Sequence, residues 1–250
     1  SRQDHPSTRR SHEEDLLATA VFLAAAVPTV ASAQLAFNVG ATTDYRYRGI
    51  SQSRLKPALQ GGVDYTAGAF YVGAWASTIK WIKDTPGGDG NVELDIYGGY
   101  KGEIAKDLGY DVGILNYVYP SNSLPTNANT TELYGAITYG PATAKYSHAV
   151  TNTFGNANSK NSYYLDLSAT FEVAGLSVVP HIGYQKIKGT ADASYTDYSL
   201  TVSKDFSGLV PSLALVGTDA DKNFYVPGAN ANSTKFLGKT ALVLGLKYNF

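Results

Sequence analysis

Ala241-Leu242-Val243-Leu244-Gly245-Leu246-Lys247-Tyr248-Asn249-Phe250 alternates without a break. Leu242, Leu244, Leu246, Tyr248 and Phe250 fall on one face, and Ala241, Val243, Gly245, Lys247 and Asn249 on the other. Successive side chains of a strand point to opposite faces, so the segment reads as an amphipathic β-strand. The same period of two recurs upstream. Tyr163, Leu165, Leu167, Ala169 and Phe171 oppose Tyr164, Asp166, Ser168, Thr170 and Glu172, and Val92, Leu94 and Ile96 oppose Glu93, Asp95 and Tyr97. A slip of one residue would turn every acid onto the apolar face, so the pattern fixes which side meets which surroundings.

Twelve such strands are predicted, over 35–47, 57–66, 69–77, 91–101, 108–119, 130–139, 142–150, 162–172, 175–187, 194–204, 209–218 and 239–250. Their links alternate between short turns and long segments rich in Asn, Ser, Gly, Pro and Thr, such as TFGNANSKNS and VPGANANSTK. An even strand number with short turns at one end and long loops at the other is the pattern of a transmembrane β-barrel. Tyrosines at strand ends (Tyr45, Tyr47, Tyr65, Tyr100, Tyr139, Tyr163 and Tyr248) read as an interfacial girdle. A soluble sandwich also alternates, but lipid tolerates no open sheet edge, and closure follows. The expected fold is therefore all-β: a transmembrane antiparallel barrel of about twelve strands, spanning 34–250.

Composition narrows the function classes. The 250 residues carry 20 Lys+Arg and 21 Asp+Glu, a net charge of -1, without the basic excess of a nucleic-acid binder. With no Cys and four His, material for a metal cage is scarce, and neither a metal nor a cofactor is expected. Leu16–Val27 is an apolar run too short to span a membrane; Pro28 and then Ala31-Ser32-Ala33 follow it. That order predicts an export signal over residues 1–33, cut after Ala33. Glu13, Glu14 and Asp15 stand where positive charge is expected, so residues 1–15 fit that signal poorly.

The stretch Asn38-Val39-Gly40-Ala41-Thr42-Thr43-Asp44-Tyr45-Arg46-Tyr47-Arg48-Gly49-Ile50-Ser51-Gln52-Ser53 resembles the opening of the TorF-type porin family of Gram-negative bacteria. Phe70–Ser77 and Glu93–Tyr100 continue the likeness, and the loop over Thr78–Gly90 departs from it. The resemblance implies an outer-membrane barrel of porin type. In that setting the alternating terminus with Tyr248 and Phe250 looks like the signal read by the barrel-assembly machinery, with periplasmic chaperones and outer-membrane lipid as further partners.

Strand parity assigns the lumen. Asp44, Asp64, Glu93, Asp95, Asp111, Glu132, Asp166, Glu172 and Asp197 are expected to point inward, with Arg46, Arg48, Lys101, Lys145, Lys247 and His181. The acidic excess predicts a weak preference for cations among small polar solutes or ions. The competing expectation is a non-conducting structural or adhesive barrel, in which Asp44, Arg46 and Arg48 pair with facing carboxylates across a filled lumen. Twelve strands lie between the filled interior of eight and the channel of sixteen. An outer-membrane phospholipase would need a Ser–His–Asn group on the outer wall. His148 and Asn152 are candidates there, but Ser147 points the opposite way from His148. No enzymatic activity is expected.

Overall fold

Val, Leu, Ile, Tyr and Phe at every second position favour a pleated chain with one wet and one dry face. The computed structural model describes residues 33–250 and realises that pattern as one closed sheet. All but the last residue of the expected export signal lies outside the described residues. The elements are β1 (Gln34–Thr42), β2 (Arg46–Tyr47), β3 (Ile50–Ser51), β4 (Ala58–Ala67), β5 (Phe70–Thr78), α1 (Trp81–Asp84), β6 (Val92–Ala105), β7 (Leu108–Val118), β8 (Thr130–Tyr139), β9 (Ala142–Ala149), β10 (Tyr163–Ala169), β11 (Phe171–Val173), β12 (Leu176–Lys186), β13 (Tyr195–Ser203), β14 (Leu209–Thr218) and β15 (Ala241–Asn249). Each barrel strand pairs antiparallel with the next. β10 and β11 are two halves of one stave, both paired to β12, so the barrel has twelve staves. β15 closes on β1, and Phe37 and Phe250 exchange two backbone hydrogen bonds (2.8 and 3.0 Å) at the end of that seam.

The apolar stripe lies outside. Leu242 is 66 % exposed, Leu167 56 % and Leu59 67 %, and similar side chains surround the wall. Water-soluble surfaces rarely carry a continuous apolar patch of more than a few hundred Å², so lipid is the medium this surface fits. Among the described residues no helix is long and apolar enough to cross a membrane. Aromatic side chains flank the band at both ends. Phe37, Tyr248 and Phe250 stack near the short turns, where Phe70 also meets Tyr100 edge to face beside Tyr110, while Tyr146, Tyr163 and Tyr184 line up near the long loops. Leu244→Arg, at mid-height on this face, is expected to cost about 2–4 kcal/mol. The midpoint of urea unfolding in lipid vesicles measures it; an unchanged midpoint would mean that Leu244 does not face lipid.

The first strand departs from its expected length. It ends at Thr42 rather than at residue 47, and the chain then turns into the barrel. Tyr45 is 2 % exposed and Tyr47 packs on Tyr117, so neither belongs to the lipid girdle. Within the barrel, β2 and β3 form a small hairpin whose two central residues, Arg48 (φ 45) and Gly49 (φ 78), both adopt positive φ. Two positive φ values in a two-residue loop match a type I′ turn. Glycine suits its position twice over, because a Cβ on Gly49 would fall 2.8 Å from the Asp197 Cβ. The tip of the hairpin thus lies against β13 and the end of β14.

Candidate functional site: the barrel lumen

Two kinds of structure fill the lumen. In the half nearest the long loops, the hairpin is tied to the wall by charge and covered by apolar side chains. Arg48 donates to both oxygens of Glu132 (3.0 and 2.7 Å) and to Gln185, with its guanidinium 4.2 Å from the centre of the Tyr164 ring. Forked, charge-assisted pairing of this kind is among the stronger hydrogen bonds proteins make. Arg46 donates to Asp44 (2.6 Å) and to the carbonyls of Gly49 and Lys239, while Ser51 and Ser53 also donate to Asp44. Tyr45 donates to Glu93 (2.8 Å). Burial raises the Tyr45 pKa well above its usual value, and the Glu93 carboxylate raises it further, so the hydroxyl keeps its proton.

Above this, Ile79 and Ile82 are fully buried beside Tyr119 and Ala128, and Trp81 meets Tyr119 edge to face. The loops interlock across the mouth. Ser51 N–H donates to the Leu237 carbonyl, Lys80 N–H to Gln52, and the Asn230 side chain to Lys83 and Thr85.

The wall beside and below the hairpin is lined by tyrosines lying on glycines. Gly73, Gly99, Gly113 and Gly183 face inward, and a Cβ on any of them would overlap the ring of Tyr97, Tyr71, Tyr134 or Tyr164 respectively. The rings carry their hydroxyls to the wall carboxylates. Tyr97 donates to Asp64 (2.6 Å), Tyr71 to Asp111 (2.6 Å) and Tyr164 to Asp197 (2.9 Å). His181 completes one cluster, with Nε2 3.1 Å from Asp166 and Nδ1 3.6 Å from Asp197. A buried carboxylate without partners is costly, and these tyrosines supply donors without adding charge. Between hairpin and wall lies a cavity of about 70 Å³, bordered by Arg46, His181, Asp197, Thr201 and Ser212.

The parity-assigned residues are placed as follows. Asp64, Glu93, Asp95, Asp111, Glu132, Lys145, Asp166, His181 and Asp197 sit on the inward side of their strands, as do Lys101 and Lys247. Asp44, Arg46 and Arg48 also lie inside, but on or beside the turned-in hairpin and not on a wall strand. Glu172 keeps the inward parity, between the lipid-facing Phe171 and Val173, but is exposed in the short stave end β11. Glu93 and Asp95 each retain one buried oxygen without a hydrogen bond. On the outer wall, His148 bonds Tyr146 (2.8 Å) and Asn161 (3.2 Å), and its cross-strand neighbours are Leu133 and Tyr163. The phospholipase arrangement would have placed a serine there. Among the described residues no group of His, Cys, Asp and Glu is arranged to hold a metal ion.

The inward tyrosines and Gln185 were not singled out from the sequence. Parity could have found Tyr97, Tyr134 and Tyr164, since each shares a face with an acid; Tyr71 lies opposite the apolar Phe70–Val72 face of an acid-free strand.

The family described as "Bacterial protein of unknown function (Gcw_chp)" matches residues 26–250. The chain belongs to the bacterial Gcw_chp family. No curated protein matches this Gcw_chp member by sequence. Among solved structures, the KdgM porin in complex with disordered oligogalacturonate aligns with a TM-score of 0.53 at 8 % identity, over 88 % of this chain and 99 % of that one. OprD from Pseudomonas aeruginosa aligns with a TM-score of 0.39 at 13 % identity, over 86 % of this chain and 65 % of that one. The likeness between the Gcw_chp barrel and KdgM is one of fold.

Proposed function

We propose that this Gcw_chp protein is an outer-membrane channel for passive diffusion of small polar solutes or ions, with a weak preference for cations. The observation that carries the reading is the inversion of the barrel: apolar outside, and inside a wall of hydrogen-bonded carboxylates, lysines and tyrosines. The likeness of Asn38–Ser53 to TorF-type porins and the shared fold with KdgM support it. Residues 1–33 serve as the export signal in this reading, and Tyr248 and Phe250 as the mark read during assembly. Phe250 also bonds the seam through its backbone, so Phe250→Ala is the substitution that probes the ring alone.

One observation favours a second reading. The hairpin, its ion pair to Glu132 and the interlocked loops together narrow the mouth, as a non-conducting structural barrel would require. Single-channel recording in a planar bilayer separates the two: steps of conductance support the channel, and their absence in folded protein supports the closed barrel.

Selectivity is tested on the wall itself. Asp95→Asn with Asp166→Asn removes two of the nine carboxylates that parity assigns to the lumen, set against five bases. The reversal potential is expected to move toward anions. The effect is larger at low salt, because the Debye length is about 30 Å at 0.01 M and about 3 Å at 1 M. An unchanged potential at low salt would show that these carboxylates do not face the conducting path.

A further inference from the structure

The outer wall bears a second feature that solute passage does not use. Where the lipid-facing stripe ends toward the long loops, five staves finish in a neutral threonine (Thr43, Thr78, Thr131, Thr196 and Thr240) and four in an uncharged Leu59, Val92, Val118 or Gly217. The exception is the sector formed by β9, β10 and β12. There His148, Tyr163 and Lys186 lie side by side in register, Tyr163 paired to His148 on one side and to Lys186 on the other. Directly opposite residues on one face have Cβ atoms about 4.5–5.5 Å apart, so the two basic side chains flank one ring.

The adjoining loops bring more charge to the same place. Lys188 is held there by its N–H donating to Ser162 (2.9 Å), and exposed Lys160 precedes Asn161, whose side chain meets His148 (3.2 Å). Among the described residues, none of the ammonium groups of Lys160, Lys186 and Lys188 makes a hydrogen bond or ion pair. Asp192 is the sole acid in the two loops 151–161 and 187–194. Tyr146 and Tyr184 stand just below, one on either side of the Tyr163 ring. The sector thus combines an aromatic shelf at the edge of the hydrocarbon with one ammonium group level with Tyr163 and two more in the adjoining loops.

We propose that this sector binds the phosphorylated sugar headgroup of an outer-leaflet glycolipid. The acyl chains would lie on the Leu165–Leu167 stripe, the sugars on the tyrosines, and the phosphates between Lys160, Lys186 and Lys188. Charge complementarity selects the occupant: basic groups at the membrane surface attract anionic headgroups. Lys186 lies on the lipid-facing side of its strand, and Lys160 and Lys188 are exposed in the loops that adjoin it. The inference rests on the outer-membrane placement above but not on conduction.

The test is native mass spectrometry of the intact barrel with added bis-phosphorylated lipid A, in parallel with the same lipid after enzymatic removal of its phosphates. Lys160→Gln/Lys186→Gln/Lys188→Gln is expected to weaken binding of the phosphorylated lipid by about a hundredfold. The matching Lys→Arg triple is expected to keep it. A control with the same loss of charge elsewhere on the loops, Lys56→Gln/Lys222→Gln/Lys235→Gln, is expected to bind as the parent does. Equal binding of the dephosphorylated lipid, or an equal loss in the control, would overturn the proposal. Each variant is first scored by the heat-dependent gel shift of a folded barrel, so that lost binding is read only from folded protein. Fractionation of cells reports the membrane location independently, which keeps a failure of location distinct from a failure of lipid contact.

Discussion

Arg48→Asn is expected to widen the lumen while leaving the barrel closed. Asn-Gly is the pair best suited to a type I′ turn, so the substitution preserves the hairpin's own geometry. What it removes is the fork onto Glu132 and the bond to Gln185. Taking away one partner of a buried ion pair typically costs about 3–5 kcal/mol, because the other charge is left without compensation. The barrel wall does not depend on that pair, since its strands are held by their own ladder. The hairpin does. Single-channel conductance is expected to rise severalfold, and Glu132→Gln in the same chain to recover part of the lost stability. A fall in stability with no change in conductance would show that the hairpin does not limit passage.

Gly183→Val is expected to be the more damaging change for folding. A Cβ at this position would overlap the Tyr164 ring and fall 2.8 Å from the Asp197 carboxylate. Overfilling a packed site of this kind costs about 1–3 kcal/mol, and here it also displaces the hydroxyl that satisfies Asp197. The yield of folded barrel in vesicles measures the loss. Tyr164→Ala should rescue part of it by vacating the space. Gly135→Ala, whose Cβ would meet only Val112 at 3.9 Å, is the control and should fold as the parent does. Equal yields for Gly183→Val and Gly135→Ala would refute the role given to the tyrosine–glycine contact.

These two sites also mark how far the sequence could be read. Inside and outside were legible because parity is a local property: Leu165 beside Asp166 settles which way each points. The hairpin was not. Asp44-Tyr45-Arg46-Tyr47-Arg48 alternates as a strand would, and what turns it inward is the positive φ at Arg48 and Gly49 together with partners more than eighty residues away. The tyrosine–glycine contacts were hidden for a different reason. Gly183 and Tyr164 lie on neighbouring staves, so seeing them meet requires the register of β10 against β12, which no single strand encodes. The short helix over Trp81–Asp84 arises likewise from tertiary burial of Ile79 and Ile82, not from any helical period.

The tyrosines that lie on inward glycines have one more consequence. In a water-soluble protein, cohesion and the route taken by a ligand are usually separate: one is the core, the other a cleft. In this barrel a ring such as Tyr71 or Tyr164 does both, pressing on the backbone while its hydroxyl donates a hydrogen bond to a wall acid. Enlarging the bore at one of these rings therefore removes adhesive contact and strands a carboxylate at the same time. Permeability and robustness are coupled residue by residue, so a lineage adapting to larger cargo would have to alter ring, glycine and acid together rather than one at a time.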